Sequence, residues 1–171
     1  MRRVFGITGW KNSGKTTLTE KLVTELVARG WTVSTVKHAH HDFDIDKPGA
    51  DSFRHRQAGA IEVAIVSGRR WALMHELRDE NEPALDDILA RLSPSDIVLV
   101  EGYKREAHRK IEARRLEAKD RTPLSTTDPN IVAVAADFTV EGEELPVFHL
   151  DDAKSIADFV ERSTGLVPRA K

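Results

Sequence analysis

Gly9, Gly14, Lys15 and Thr16 fill the fixed positions of a G-x-x-x-x-G-K-[ST] pattern, within the run Gly-Trp-Lys-Asn-Ser-Gly-Lys-Thr-Thr over residues 9–17. Each fixed position has a physical task. Glycines reach backbone conformations closed to other residues, so successive N–H groups turn inward and cradle phosphate oxygens. A lysine at position 15 reaches the β- and γ-phosphates as a point charge, and a Thr16 hydroxyl is a ligand for Mg²⁺. The positive end of a following helix adds to the same anion site.

A second group of residues suits the same chemistry. Residues 96–102 read Asp-Ile-Val-Leu-Val-Glu-Gly, four apolar residues closing in an acid. In a Walker B strand that acid approaches the Mg²⁺ held by the loop threonine, or orients the attacking water. Glu101 takes that role here, in place of the commoner Asp, and with Lys15 forms the candidate catalytic pair. A third stretch, residues 37–46, reads Lys-His-Ala-His-His-Asp-Phe-Asp-Ile-Asp. Its histidines and aspartates fit a metal ligand set, a γ-phosphate sensor or a partner contact, with a switch-type loop the favoured reading and a solvated loop the plain alternative.

These groups need a scaffold, and the hydrophobic pattern supplies one. Residues 3–8 read as a short buried strand. Leu18, Leu22, Val23, Leu26 and Val27 then recur at helical spacing until Arg29-Gly30. Strands are expected over residues 32–37, 61–66, 70–75, 97–100, 131–135 and 147–150, with the second and third of these forming a hairpin around Ser67-Gly68-Arg69. Helices are expected around Leu85 to Leu92 and over residues 152–162. Strands alternating with helices imply an α/β fold with a mostly parallel sheet, that of the P-loop nucleoside triphosphate hydrolases, with the hairpin as an insertion. Residues 38–50 have no hydrophobic period and read as a functional loop.

The basic segment from Lys104 to Arg115 admits a lid that carries arginines onto phosphates, a strand and loop that contact another chain or an anionic ligand, or a plainly solvated face. Residues 128–137 read as a turn, a buried strand and an acid at the nucleotide edge. No N-K-x-D guanine motif occurs, so the residues alone leave guanine and adenine open.

Composition narrows the class. A chain of 171 residues suits one domain spanning residues 1–171. A net charge of −2 gives no general attraction to nucleic acid or membrane surfaces. Without cysteine there is no disulfide, thiolate metal site or cysteine nucleophile. No apolar run approaches a membrane span, so a cytoplasmic location is expected.

Taken together, residues 9–17, 36–52, 56–60, 70–73, 100–104 and 131–135 closely resemble one family: the molybdopterin-guanine dinucleotide biosynthesis adaptor, protein B (MobB). The resemblance covers nearly the whole chain in order, and residues 37–51 are its most diagnostic part. It implies a GTP-binding, weakly hydrolytic homodimer of molybdenum cofactor biosynthesis. Its implied partner is the guanylyltransferase (MobA) that attaches GMP to molybdopterin, with molybdopterin itself a further candidate ligand. By the same resemblance Gly9, Asn12, Ser13, Gly14, Lys15, Thr16 and Thr17 bind GTP phosphates, and Thr16 with Glu101 lies at Mg²⁺. Two other classes stay open on the residues: an autonomous small-molecule kinase with the arginines after Lys104 as its lid, and a metal-insertion GTPase using His38, His40 and His41.

Overall fold

The apolar strand that precedes the glycine loop becomes the middle of a parallel sheet. In the computed structural model, which describes residues 2–39 and 43–167, strand β1 (Val4–Thr8) leads through the loop into helix α1 (Lys15–Ala28) and strand β2 (Val33–Lys37). Helix α2 (Asp51–Gln57), strands β3 (Glu62–Val66) and β4 (Trp71–His75) and helix α3 (Leu85–Arg91) follow. The chain then adds β5 (Ile97–Glu101), β6 (Lys110–Arg114), β7 (Ile131–Ala136), β8 (Val147–His149) and helix α4 (Ala153–Thr164). The sheet order is β2-β5-β1-β6-β7-β8, and every pairing in it is parallel.

Period-two alternation decides which face each strand buries. Phe5, Ile7, Ile97, Leu99, Ile111, Ala113, Ala133 and Ala135 form one apolar core with Leu18, Leu22 and Leu26 of α1 and Ile156, Ala157 and Val160 of α4. Phe159 closes it from α4, edge-on to Phe5 at 6.4 Å and tilted against Phe148 at 5.5 Å. Helix α4 starts on Asp152, whose carboxylate accepts from the Ser155 N–H, and ends on Gly165 in a left-handed conformation.

The basic segment corrects the expectation of a lid or a solvated charged face. Its second half is β6, inside the sheet between β1 and β7, with all five residues buried. Ile111 and Ala113 join the apolar core, and Lys110, Glu112 and Arg114 alternate with them and so point to the opposite face. There each charge is matched. The Lys110 ammonium donates to the carbonyls of Lys104 and Glu106 and to Asp128 Oδ2, at 2.7–2.9 Å. The Glu112 carboxylate accepts from the Leu124 and Ser125 N–H groups and from Arg114, which also donates to Ser125 Oγ and Glu143. Burying charge is tolerable only with such partners, and they come from segments up to 29 residues away in sequence.

Residues before 39 and after 87 make this first compact unit; residues 39–87 make a second. The second holds the expected antiparallel hairpin, with Val63 opposite Met74 and Val66 opposite Trp71. It also contains α2, which the hydrophobic pattern did not announce because none of its residues is buried. Arg56 of α2 ties the unit together, bonding both oxygens of Asp44 at 2.9 and 3.0 Å and Glu76 at 2.9 Å. Val66, Trp71 and Leu73 of the hairpin are exposed by 75, 69 and 49 %. Among the described residues no helix is long and apolar enough to cross a membrane.

Candidate functional site

The glycine loop doubles back because three of its residues take left-handed backbone angles: Gly9 (φ 142°), Asn12 (φ 63°) and Gly14 (φ 90°). A methyl group at position 9 would fall 2.4 Å from Ser13 Oγ and 2.5 Å from the Ala113 carbonyl, so only glycine fits. Gly14 leads into α1 without a side-chain cap, and the helix's first N–H groups open onto the loop. Ser13 is buried with its Oγ unpartnered, a polar atom held inside the loop with no protein acceptor or donor.

Lys15, the first residue of α1, arches back across the loop and donates to the Trp10 carbonyl at 2.6 Å. Burial lowers its pKa; Glu101 opposes that shift, and Lys104 and Lys37 reinforce it. Lys15 thus feels two further lysines and one carboxylate, an excess of positive charge suited to an anion.

Thr16, one residue on, meets the end of β5. Its Oγ1 donates to Glu101 Oε1 at 2.7 Å, a contact between residues 85 positions apart. The sheet register makes it possible: Ile7 of β1 lies beside Glu101 in β5, and Glu101 lies beside Lys37 in β2. The Lys37 ammonium therefore sits 3.4 Å from both Thr16 Oγ1 and Glu101 Oε1. Glu101 is 7 % exposed, and Gly102 behind it (φ 94°) turns the chain against His38, where a methyl group would come within 3.1 Å of the His38 Cβ.

The expected site residues are thereby largely gathered. Gly9, Ser13, Gly14, Lys15, Thr16 and Glu101 converge at the carboxyl ends of β1 and β5, the edge where open α/β sheets bind ligands. Asn12 and Thr17 are exposed beside them. Of the histidine-rich loop, the His38 ring lies tilted against the Tyr103 ring with centres 4.8 Å apart, and Asp44 and Asp46 turn toward Arg56 in the second unit; His40, His41 and Asp42 lie outside the described residues. Among the described residues no group of three or more acidic or histidine side chains could hold a metal ion. Two oxygen donors, Thr16 and Glu101, are nonetheless a fitting set for Mg²⁺, which keeps several waters and takes one or two protein ligands beside phosphate oxygens. Asp137 follows β7 at the same edge, accepting from the Leu116 N–H at 2.8 Å and from Arg115 Nε at 3.4 Å.

Lys37 is the residue whose part at the site the motifs did not announce. As the last residue of a strand beside the acidic strand, it was findable only by pairing the two strands. Lys104 is another: its ammonium lies 3.8 Å from the centre of the Trp10 ring, and the Trp10 indole N–H donates to the Thr122 carbonyl at 2.8 Å.

Comparison with known proteins places this arrangement in a known group. A family model described as "Molybdopterin guanine dinucleotide synthesis protein B" matches residues 4–137. A molybdopterin-guanine dinucleotide biosynthesis adapter protein of Escherichia coli is 40 % identical over 159 residues, covering 92 % of this chain and 90 % of that one. Its counterpart from Haemophilus influenzae is 40 % identical over 161 residues, covering 92 and 87 %. The crystal structure of a MobB protein homolog from Bacillus stearothermophilus is 34 % identical and superposes with a TM-score of 0.71 over 96 % of this chain and 99 % of its own.

Proposed function

This chain belongs to the molybdopterin guanine dinucleotide synthesis protein B family, and we propose that it acts there as a GTP-binding adaptor with weak GTPase activity, assisting the guanylyltransferase that makes molybdopterin guanine dinucleotide. The observation that carries the reading is the 2.7 Å bond from Thr16 to Glu101 at the mouth of the glycine loop. It joins the hydroxyl and the carboxylate that nucleotide hydrolysis needs side by side, with Lys15 and Lys37 next to them.

In this proposal the backbone N–H groups of residues 9–16 hold the phosphates, and Lys15 exchanges the Trp10 carbonyl for phosphate oxygens. Thr16 and Glu101 hold Mg²⁺, which supplies neutralisation of charge on the transferring phosphoryl group. Lys37 balances the negative charge of Glu101 and of the bound nucleotide. Hydrolysis is slow, well below a typical turnover of about 10 per second, because the sequence carries no recognisable arginine finger or water-positioning glutamine motif. The exposed apolar hairpin residues Val66, Trp71 and Leu73 suit burial against a second copy of the chain, in keeping with a homodimer. The adapter designation of the relatives supports a partner enzyme as the recipient.

Isothermal titration of GTP and ATP with Mg²⁺, repeated with purified guanylyltransferase, tests the proposal. GTP is expected to bind more tightly than ATP, and Lys15→Ala to weaken it at least about tenfold without lowering the melting temperature. Unchanged GTP affinity in a folded Lys15→Ala protein would overturn it.

A further inference from the structure

One tryptophan of the glycine loop carries two cations, one at each end. Lys15 donates to the Trp10 carbonyl at 2.6 Å, and the Lys104 ammonium lies 3.8 Å from the centre of the Trp10 ring. Lys104 makes no ion pair among the described residues, so the ring face is what holds its charge. Burial lowers the pKa of both lysines. For Lys15 the charges of Lys104 and Lys37 add to that effect and Glu101 opposes it; for Lys104 the opposition comes from Asp120 and Glu112. A ring face is a weaker partner for an ammonium than an anionic oxygen, so a phosphate beside Lys15 competes with Trp10 for Lys104.

The position of Lys104 decides which phosphate that is. It stands three residues beyond Glu101, whose carboxylate accepts from Thr16 at the metal end of the site, and it acts on Lys15 at the same end. A metal there bridges β- and γ-oxygens, so this is the end of the terminal phosphate. Between Glu101 and Lys104 the chain turns through two consecutive left-handed residues, Gly102 (φ 94°) and Tyr103 (φ 47°). A tyrosine resists that conformation, and backbone held against preference is concentrated where its geometry is used. The surroundings hold it firmly. The buried Lys110 ammonium donates to the carbonyls of Lys104 and Glu106 at 2.9 and 2.7 Å, and the Trp10 indole N–H donates to the Thr122 carbonyl at 2.8 Å. With the backbone and the ring both pinned, the freedom that remains belongs to the half-buried Lys104 side chain.

We propose that Lys104 is the residue that tells a nucleoside triphosphate from a diphosphate: its ammonium rests on the Trp10 ring in the diphosphate state and moves to the terminal phosphate in the triphosphate state. The inference rests on the reading of the glycine loop as a GTP site. It assigns to the segment after β5 a contact that the diphosphate cannot make, and it makes Trp10 the reporter of that contact, because the ring loses its cation when the terminal phosphate arrives.

The experiment uses the full chain with ¹⁵N-labelled tryptophan, Mg²⁺, GDP, and a GTP analogue bridged by nitrogen between the β- and γ-phosphorus atoms. The chain has three tryptophans, and Trp10→Phe identifies the indole signal of Trp10 by its loss. That signal is expected at different positions with the analogue and with GDP, and at one common position with both in Lys104→Met. By calorimetry Lys104→Met is expected to weaken the analogue about tenfold and GDP less than about twofold, with Lys104→Arg restoring most of the loss. A general structural role would weaken both nucleotides alike and would not be rescued by arginine. A melting curve checks that Lys104→Met is folded, and Lys104→Gln replaces it if it is not. Equal weakening of analogue and GDP, or one Trp10 position for both nucleotides in the parent protein, would overturn the role of Lys104 and leave the GTP site standing. Failure of the parent to bind either nucleotide would overturn the GTP site, and the role of Lys104 with it.

Discussion

Replacing Lys110 with methionine should be among the most destabilising single changes in the protein. The side chain is fully buried, and all three of its ammonium donors are used: Lys104 O at 2.9 Å, Glu106 O at 2.7 Å and Asp128 Oδ2 at 2.8 Å. Methionine keeps most of the stem and the volume, so the perturbation is the charge. It strands two carbonyls and leaves the half-buried Asp128 carboxylate with only Asn130 to oppose the burial that raises its pKa. Breaking a buried pair by removing one partner costs about 3–5 kcal/mol. Across a domain of this size that is a fall in melting temperature on the order of 10 °C. Urea unfolding of Lys110→Met beside the parent measures it, with an unchanged dependence on urea showing that only stability moved. Adding Asp128→Asn should recover part of the loss, because the stranded charge is then gone. A loss below about 1 kcal/mol would refute the reasoning, since it would mean that the buried ammonium contributes no more than a surface ion pair. The change also reaches the site: the loop that places Lys104 on Trp10 is anchored by these two carbonyls.

Thr16→Ala and Glu101→Gln should lower Mg²⁺-dependent GTP hydrolysis at least about tenfold and weaken nucleotide binding much less, because metal placement acts chiefly on charge developing in the transition state; a wild-type hydrolysis rate in Glu101→Gln would remove Glu101 from the nucleotide site. Gly9→Ala should abolish measurable GTP binding by calorimetry, since its methyl group collides with both Ser13 Oγ and the Ala113 carbonyl at a backbone angle that alanine resists. His108, whose ring nitrogens are buried without partners against Gly6, has its pKa lowered to about 4, by burial first and then by Lys110, against Asp128. The unfolded chain takes up that proton near the ordinary histidine value of about 6.5, so stability is full above that pH and falls as pH drops toward 4. Denaturation midpoints measured from pH 7 to 4 should show this fall, and His108→Phe should flatten it; an equally steep fall in the variant would assign the effect to other groups.

Local pattern in the chain was enough to identify the glycine loop, the strands and helix around it and the acidic end of β5. Each of these is a short-range signal: a fixed spacing, a helical period, or an unbroken apolar run such as residues 97–100, which is fully buried as such a run should be. The two strands of the hairpin were legible for the same reason, with a turn between two apolar runs. What local pattern could not decide was where charge goes. Lys-Ile-Glu-Ala-Arg in β6 reads as a solvated segment until its neighbours are known, because the partners that make burial tolerable come from residues 104, 106, 124, 125, 128 and 143. Helix α2 was illegible for the converse reason: it buries none of its own residues and is held by the ion pairs of Arg56. The pairing of Thr16 with Glu101 and the approach of Lys37 to both likewise exist only because parallel strands distant in sequence lie in one particular register. Spacing along a chain encodes which residues share a face, and the assembled sheet alone determines which of those faces meet.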